Sequence, residues 1–234
     1  MLSVMAKKEV VEGIFNDIAP KYDLLNHLLS LNIDKGWRRK AMRCVEEDGK
    51  GHLLDVACGT GDFSIAACRA GVRQVTGIDI SANMVNIGRK KVAEAGLAGQ
   101  IDLRSGDSEA MEFGDNTFDT VTVAFGVRNF EHLEQGLREM YRVLRPGGKV
   151  IILEFSMPEH FPMKQLYKFY FRRVLPVVGG WVSGNRGAYT YLPESVMKFP
   201  QGRAFLDIMA RCGFQGVARH KLTFGIASLY TGKK

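Results

Sequence analysis

The sequence predicts an α/β fold built on an open sheet of seven strands, mostly parallel with the last strand antiparallel, and preceded by a helical segment. Three observations predict it. Short apolar runs alternate with helical spacing through the middle of the chain. A glycine loop, Gly59-Thr60-Gly61, follows the first of those runs. The final two apolar runs lie too close together for a crossover helix, so that pair is antiparallel.

Taken in order, residues 8–47 read as helical before any strand begins. Residues 52–57 form a short apolar run ending at the glycine loop, the pattern of a buried strand, and 62–70 follow with helical spacing. A second strand is expected over 74–80 and a second helix over 81–95, with Ser81 able to cap a free N–H of its first turn. Strands are expected at 100–105 and, strongly β-branched, at 117–124. A helix at 132–144 is expected to be stopped by Pro146-Gly147-Gly148, with a fifth strand over 149–155. Residues 157–200, rich in aromatics, Pro and Gly, interrupt the pattern. It resumes with a helix near 202–212 and strands near 214–221 and 223–230. This reads as one domain: a helical lid (8–47), a ligand-binding core (50–156), an insertion (157–200) and a C-terminal helix with two strands (201–234).

Composition narrows the function classes. Of 234 residues, 46% are apolar and 24% charged, which suits a folded globular chain. No apolar run approaches the roughly 18 residues of a spanning helix, and the first ten residues lack a secretion signal's apolar core, so a cytoplasmic location is expected. Cys44, Cys58, Cys68 and Cys212 show no Cys-x-x-Cys pairing or His at ligand spacing, and no metal is expected. The net charge of +7 is spread along the chain without an RNA-binding aromatic motif, so no nucleic-acid partner is expected.

The glycine loop is the strongest local signal. Gly59 and Gly61 allow a sharp turn and close approach to a ligand at the C-terminal end of a strand. A dinucleotide site is the rival reading, but the third glycine position holds Ser64, and Asp62 stands where a pyrophosphate would meet the helix N-terminus. Asp55 adds a second acid, and two acids suit a ligand with an ammonium and a sulfonium, such as S-adenosyl-L-methionine. Asp79, 18 residues beyond Gly61, either accepts from ribose hydroxyls or caps the next helix. Asp107 and Ser108 follow the third strand, where an adenine amino group can be held or an ordinary turn made.

The glycine loop, Asp79 and Pro146-Gly147-Gly148 together resemble a class I, Rossmann-like methyltransferase. Longer stretches resemble the ubiquinone/menaquinone biosynthesis C-methyltransferase family. They are Tyr22-Asp23-Leu24-Leu25-Asn26 continuing to Trp37, Phe125-Gly126-Val127-Arg128-Asn129, Arg142-Val143-Leu144-Arg145-Pro146-Gly147-Gly148 continuing to Ser156, and Tyr191-Leu192-Pro193-Glu194-Ser195. The chain departs from that pattern at Asp34, where the family usually has histidine, and at Leu25, usually methionine.

The resemblance implies that Thr60, Asp79, Asp107 and Ser108 contact S-adenosyl-L-methionine, and that the reaction is methylation of demethylmenaquinol, a prenylated naphthoquinol. A ubiquinone precursor, a soluble phenol, and a binding module without chemistry are the competing readings. Arg128 is expected to stabilise a developing phenolate, with Asn129 orienting a water or the hydroxyl; a loop ion pair is the plainer role for Arg128. Asp107 or a water is the expected base. Tyr22, Asn26 and Phe125 are the expected substrate contacts. In the insertion, Lys164, Lys168 and Arg172 share one helix face while Leu166, Phe169, Tyr170 and Val174 cover another. That segment is read as a peripheral membrane contact, a tunnel wall for the tail, or a helix packed on the core. A homodimer stays open.

Overall fold

The computed structural model describes residues 7–23, 32–47, 51–170, 173 and 186–234. Asn26, Leu25, Arg172 and Val174 lie outside them. Seven strands form one sheet: β1 (His52–Val56), β2 (Gln74–Asp79), β3 (Ile101–Ser105), β4 (Phe118–Ala124), β5 (Leu144–Phe155), β6 (Gln215–Leu222) and β7 (Ala227–Lys233). Their order is β3-β2-β1-β4-β5-β7-β6. The first five pair in parallel, whereas β7 runs antiparallel to both β5 and β6. The expected architecture is present, including the antiparallel last strand.

Among the described residues the α-helices are α1 (Lys7–Ile18), α2 (Ile33–Glu47), α3 (Asp62–Arg69), α4 (Ala82–Glu94), α5 (Leu133–Val143), α6 (Met163–Phe169), α7 (Arg186–Lys198) and α8 (Arg203–Arg211). The alternation of side chains along each strand sorts the core into two layers. Leu53, Ile151 and Leu153 pack with Trp37 and Met42 of α2, Phe63 of α3 and Val85 of α4. Leu54, Val56, Val121, Val123 and Ile152 face the other way, onto Leu137 and Met140 of α5 and Phe205 and Met209 of α8. Ser81 does cap α4, accepting from the Met84 N–H at 3.2 Å.

One boundary differs from the sequence expectation. The helix α5 ends at Val143, and Leu144 is already extended (φ −75°, ψ 137°). Pro146-Gly147-Gly148 therefore does not stop the helix; it lies inside β5, where the pairing with β4 shifts register between Phe118 and Thr120. A Cβ on Gly148 would lie 2.8 Å from the Asp119 carbonyl, so glycine is required for the strands to close there.

Strand order reverses between β1 and β4, which are neighbours. The chain moves outward from β1 to β2 and β3, then returns to lay β4 on the other side of β1. A crevice opens at the carboxyl ends of the strands at such a reversal.

Candidate active site

That crevice is lined by the ends of β1, β2 and β4 and roofed by α1. Its walls include Gly59, Asp79, Asp107, Ser108, Phe125 and Asn129, with Lys8, Val11, Phe15 and Tyr22 from the N-terminal segment. A narrower extension runs beneath Tyr22 to Asp55, Thr60 and Asp62.

Two non-glycine residues at the mouth hold left-handed backbone conformations: Ala57 (φ 52°) after β1 and Phe125 (φ 60°) after β4. Each such residue costs on the order of 1–3 kcal/mol and persists only where its surroundings impose it. The two turns come close, since a Cβ on Gly126, next to Phe125, would fall 2.5 Å from that of Ala57. The Phe125 N–H is fixed on the Leu153 carbonyl at 2.7 Å, and its ring stacks on Phe155 with centroids 4.5 Å apart. Trp37 closes the same aromatic group, 6.2 Å from Phe125 and 6.1 Å from Phe155.

The loop after β1 is preorganised by Asp79. Its Oδ2 accepts from the Gly59 N–H (2.8 Å) and its Oδ1 from the Ser81 N–H (2.9 Å). Burial raises its pKa, and the two N–H donors oppose that rise. Gly59 (φ 54°) and Gly61 (φ 79°) adopt conformations that suit glycine, and a Cβ on Gly61 would touch Leu103 at 3.0 Å. Among the described residues, the group closest above Gly59 is the Tyr22 ring, 3.8 Å from where a Cβ would sit.

Asp55 is placed by strand parity. It points to the same face as Leu53, beneath α3, and is 1% exposed. Its carboxylate accepts from Ser64 Oγ (2.6 Å) and Thr122 Oγ1 (3.1 Å), and burial pushes its pKa up to about 6. It braces the loop and borders the deep end of the crevice, rather than lying open at the strand end. Thr60 is buried too, and its hydroxyl donates to Asp23 Oδ1 at 2.6 Å. Asp62 opens α3 as expected, but its carboxylate is taken by Lys91, which also bonds Asp23 Oδ2 at 2.6 Å.

Asp107 was expected both at the adenine and as a base. Its Oδ1 accepts from the Glu109 N–H (2.8 Å) and its Oδ2 pairs with Lys8. Both carboxylate oxygens are thus engaged within the protein, which gives the base role no support in this geometry, while Asp107 still lines the crevice where the adenine is expected.

Arg128 brings the larger correction. Its side chain is 6% exposed and bonded to Glu154 Oε1 at 2.7 Å, to the Phe125 carbonyl and to Ser195 Oγ at 3.3 Å. The cation expected at a phenolate is already spent on a buried carboxylate, as the plainer reading had it. Its neighbour Asn129 does line the crevice. Asp23 and Glu154 lie in the recognised stretches without an assigned role, and nothing in the chain singles out Lys8 or Lys91, since these contacts span segments far apart in the sequence. Tyr191 lay in a recognised stretch but had no assigned role.

Comparison with known proteins bears on this geometry. Residues 3–234 match the ubiE/COQ5 methyltransferase family. The chain is 48% identical over 229 residues to the demethylmenaquinone methyltransferase of Bacteroides fragilis, covering 97% of this chain and 94% of that protein. It is also 48% identical over 236 residues to the ubiquinone/menaquinone biosynthesis C-methyltransferase UbiE of Geobacter sulfurreducens, covering 100% and 92%. Among solved structures it resembles a SAM-dependent methyltransferase of Thermotoga maritima (TM-score 0.66, 19% identity, 95% of this chain and 98% of that one). It also resembles phosphoethanolamine N-methyltransferase 2 of Haemonchus contortus in complex with S-adenosyl-L-methionine (TM-score 0.62, 15% identity, 84% and 52%). These two share the fold.

Proposed function

Because the chain belongs to the ubiE/COQ5 methyltransferase family, we propose that it transfers the methyl group of S-adenosyl-L-methionine to a ring carbon of demethylmenaquinol, forming menaquinol. The observation that carries the reading is the crevice at the strand reversal. A glycine loop clamped by Asp79 forms part of its lining, with the Tyr22 ring over Gly59 and Phe125 on the aromatic wall beside it.

The residues fit the cofactor. Asp79 ends β2 with its carboxylate aligned by two N–H groups, leaving lone pairs for two ribose hydroxyls. Asp107 and Ser108, beyond β3, suit the adenine edge. Gly59 to Gly61 let the backbone approach the methionine part, and Asp55 sets a buried negative charge behind it, suited to the ammonium. When bound, S-adenosyl-L-methionine supplies an electrophilic methyl on a sulfonium.

The protein's part is alignment and charge placement. As a naphthol hydroxyl gives its proton to a water, charge builds on the oxygen and the adjacent ring carbon becomes nucleophilic; once that carbon takes the methyl from the sulfonium, it loses its own proton to water and the ring regains aromaticity. Asn129 faces the crevice and can donate to that oxygen; Tyr22, Phe125 and Phe130 supply apolar walls that hold the ring and exclude water.

The lipid tail of such a substrate supports a further part of the proposal, a peripheral membrane contact through α6. Phe161, Leu166 and Phe169 are 81%, 58% and 63% exposed, alongside exposed Lys164 and Lys168. That pattern of greasy and basic side chains suits an anionic lipid surface.

The test is methyl transfer from labelled S-adenosyl-L-methionine to chemically reduced demethylmenaquinone, with a demethylated ubiquinone precursor in parallel. Label in menaquinone is the expected result. Label in the ubiquinone precursor alone, or in neither despite cofactor binding, would overturn the substrate assignment.

A further inference from the structure

We propose that Tyr191 is a positioning residue for the methyl transfer: its phenol holds the oxygen of the Asn129 carboxamide, leaving the amide N–H groups to face the substrate oxygen. The inference rests on the function proposed above and concerns how that site tells a phenolate from a phenol.

Tyr191 stands on α7, 62 residues from Asn129, and its hydroxyl donates to Asn129 Oδ1 at 3.1 Å. Burial raises the phenol's pKa and Glu154 adds to the rise, against the opposing charge of Arg128. The hydroxyl therefore stays protonated at neutral pH and serves as a donor. A carboxamide has one acceptor oxygen and two N–H donors. With the oxygen held on Tyr191, the amide cannot turn over without losing that bond, and its two N–H donors are left for the crevice that Asn129 lines. An oxygen gaining negative charge accepts from those N–H groups more strongly than a neutral hydroxyl does. The arrangement thus stabilises the reacting form more than the resting one, which is what raises a rate.

The contact is built into the fold by a second one beside it. On α7, Ser195 lies one turn beyond Tyr191, and its hydroxyl accepts from Arg128 Nε at 3.3 Å. On the other side, Arg128 and Asn129 are consecutive in the 3-10 turn Val127–Asn129. Two rungs therefore join α7 to that turn: Tyr191 to Asn129 and Ser195 to Arg128. Glu154 anchors the turn from β5, accepting from Arg128 Nη1 at 2.7 Å and from the Arg128 N–H at 3.2 Å. Arg128 thereby sets the geometry of the Tyr191–Asn129 pair without touching substrate.

The experiment is a double-mutant cycle on kcat with Tyr191→Phe, Asn129→Ala and the double variant, each checked for Tm and for S-adenosyl-L-methionine affinity. Wild-type turnover is measured first on demethylmenaquinol and on the ubiquinone precursor, and whichever is methylated carries the cycle. Failure of the substrate assignment is thus read separately from failure of this inference. Asn129→Ala is expected to lower kcat by about 10²-fold, in the range for loss of one oxyanion donor. Tyr191→Phe is expected to lower it by roughly tenfold, with Tm and cofactor affinity unchanged, and to have no further effect in the Asn129→Ala background. An unchanged kcat in Tyr191→Phe, or independent multiplication of the two losses in the double variant, would overturn the proposal.

Discussion

Asp55 is legible in the sequence as an acid beside the glycine loop, but its burial is not. Its position ahead of the glycine loop marked it as part of the site, but strand parity turns its carboxylate under α3, where burial raises its pKa to about 6. The sign of the resulting pH dependence follows from linkage. A carboxyl that holds its proton more tightly when folded adds stability below its unfolded pKa, and that stability is lost as pH rises through 6. The rise from 3.8 to about 6 corresponds to about 3 kcal/mol. Asp55→Asn should therefore flatten the change in Tm between pH 4 and 7 relative to wild type; an unaltered pH profile would count against a buried, ionising Asp55. At Arg128 the energetics point to the fold before the chemistry. Removing one partner of a buried ion pair leaves the other charge stranded, at about 3–5 kcal/mol. Arg128→Ala should lower Tm markedly, and Arg128→Met with Glu154→Leu should recover much of the loss. A stable but inactive Arg128→Ala protein would restore the direct role at the substrate. The residue types of this pair were visible in the sequence, but the partner was not: Glu154 is 26 residues away and joins Arg128 only because β4 and β5 are neighbours.

Two elements, α1 and α6, turn on which face they bury. The first lies across the mouth of the crevice and touches the core mainly through polar clasps. Lys8 pairs with Asp107, Asn16 Oδ1 accepts from Ser81 Oγ at 2.7 Å, and just beyond the helix Asp23 meets Lys91 and Thr60. For Lys91, burial pulls the pKa down while Asp23 and Asp62 pull it up, and the net shift is upward. Part-exposed ion pairs contribute less than about 1 kcal/mol each. Lys91→Met should thus speed cofactor release by up to about fivefold in stopped-flow experiments, and high salt should narrow the difference. Equal release rates at low salt would remove the clasp from the account. In the second element the buried side chain is Tyr167, which belongs to neither of the two faces read in the sequence. Tyr167 packs against Val196 with Tyr170 beside it, while Leu166 and Phe169 point outward. Alternation of greasy and basic residues identified a helix, but rows of aromatics on both sides left the buried face ambiguous, and only the docking partner α7 resolves it. Replacing Phe161, Leu166 and Phe169 with serine should reduce co-sedimentation with anionic vesicles severalfold while leaving cofactor affinity intact; undiminished binding would remove α6 from the membrane contact.

At the scale of the whole molecule, the sheet was legible because nearly continuous apolar strands alternating with amphipathic helices admit few architectures. The short link between β6 and β7 also disclosed the antiparallel pair. Insertion of β7 between β5 and β6 was not legible from spacing, since it depends on which edge offers the better apolar face. Part of the recognised signature proves structural. Arg142 ties the carbonyls of Met111 and Phe113 and the carboxylates of Glu139 and Asp115 into one knot, and Arg145 bonds Asp119 at 2.6 Å. These contacts set the loop after β3 and the β4–β5 junction, away from the crevice. The crevice itself joins a nucleoside-type cradle to an aromatic wall and an amide donor, which suits attack by a ring carbon whose neighbouring oxygen is losing its proton. The most direct measurement is therefore the bond formed. Demethylmenaquinol is incubated with the protein and S-adenosyl-L-methionine carrying a 13C methyl, and the product is examined by NMR. The account expects the label as an aryl methyl on the quinone ring. A methyl ether on the oxygen would contradict it.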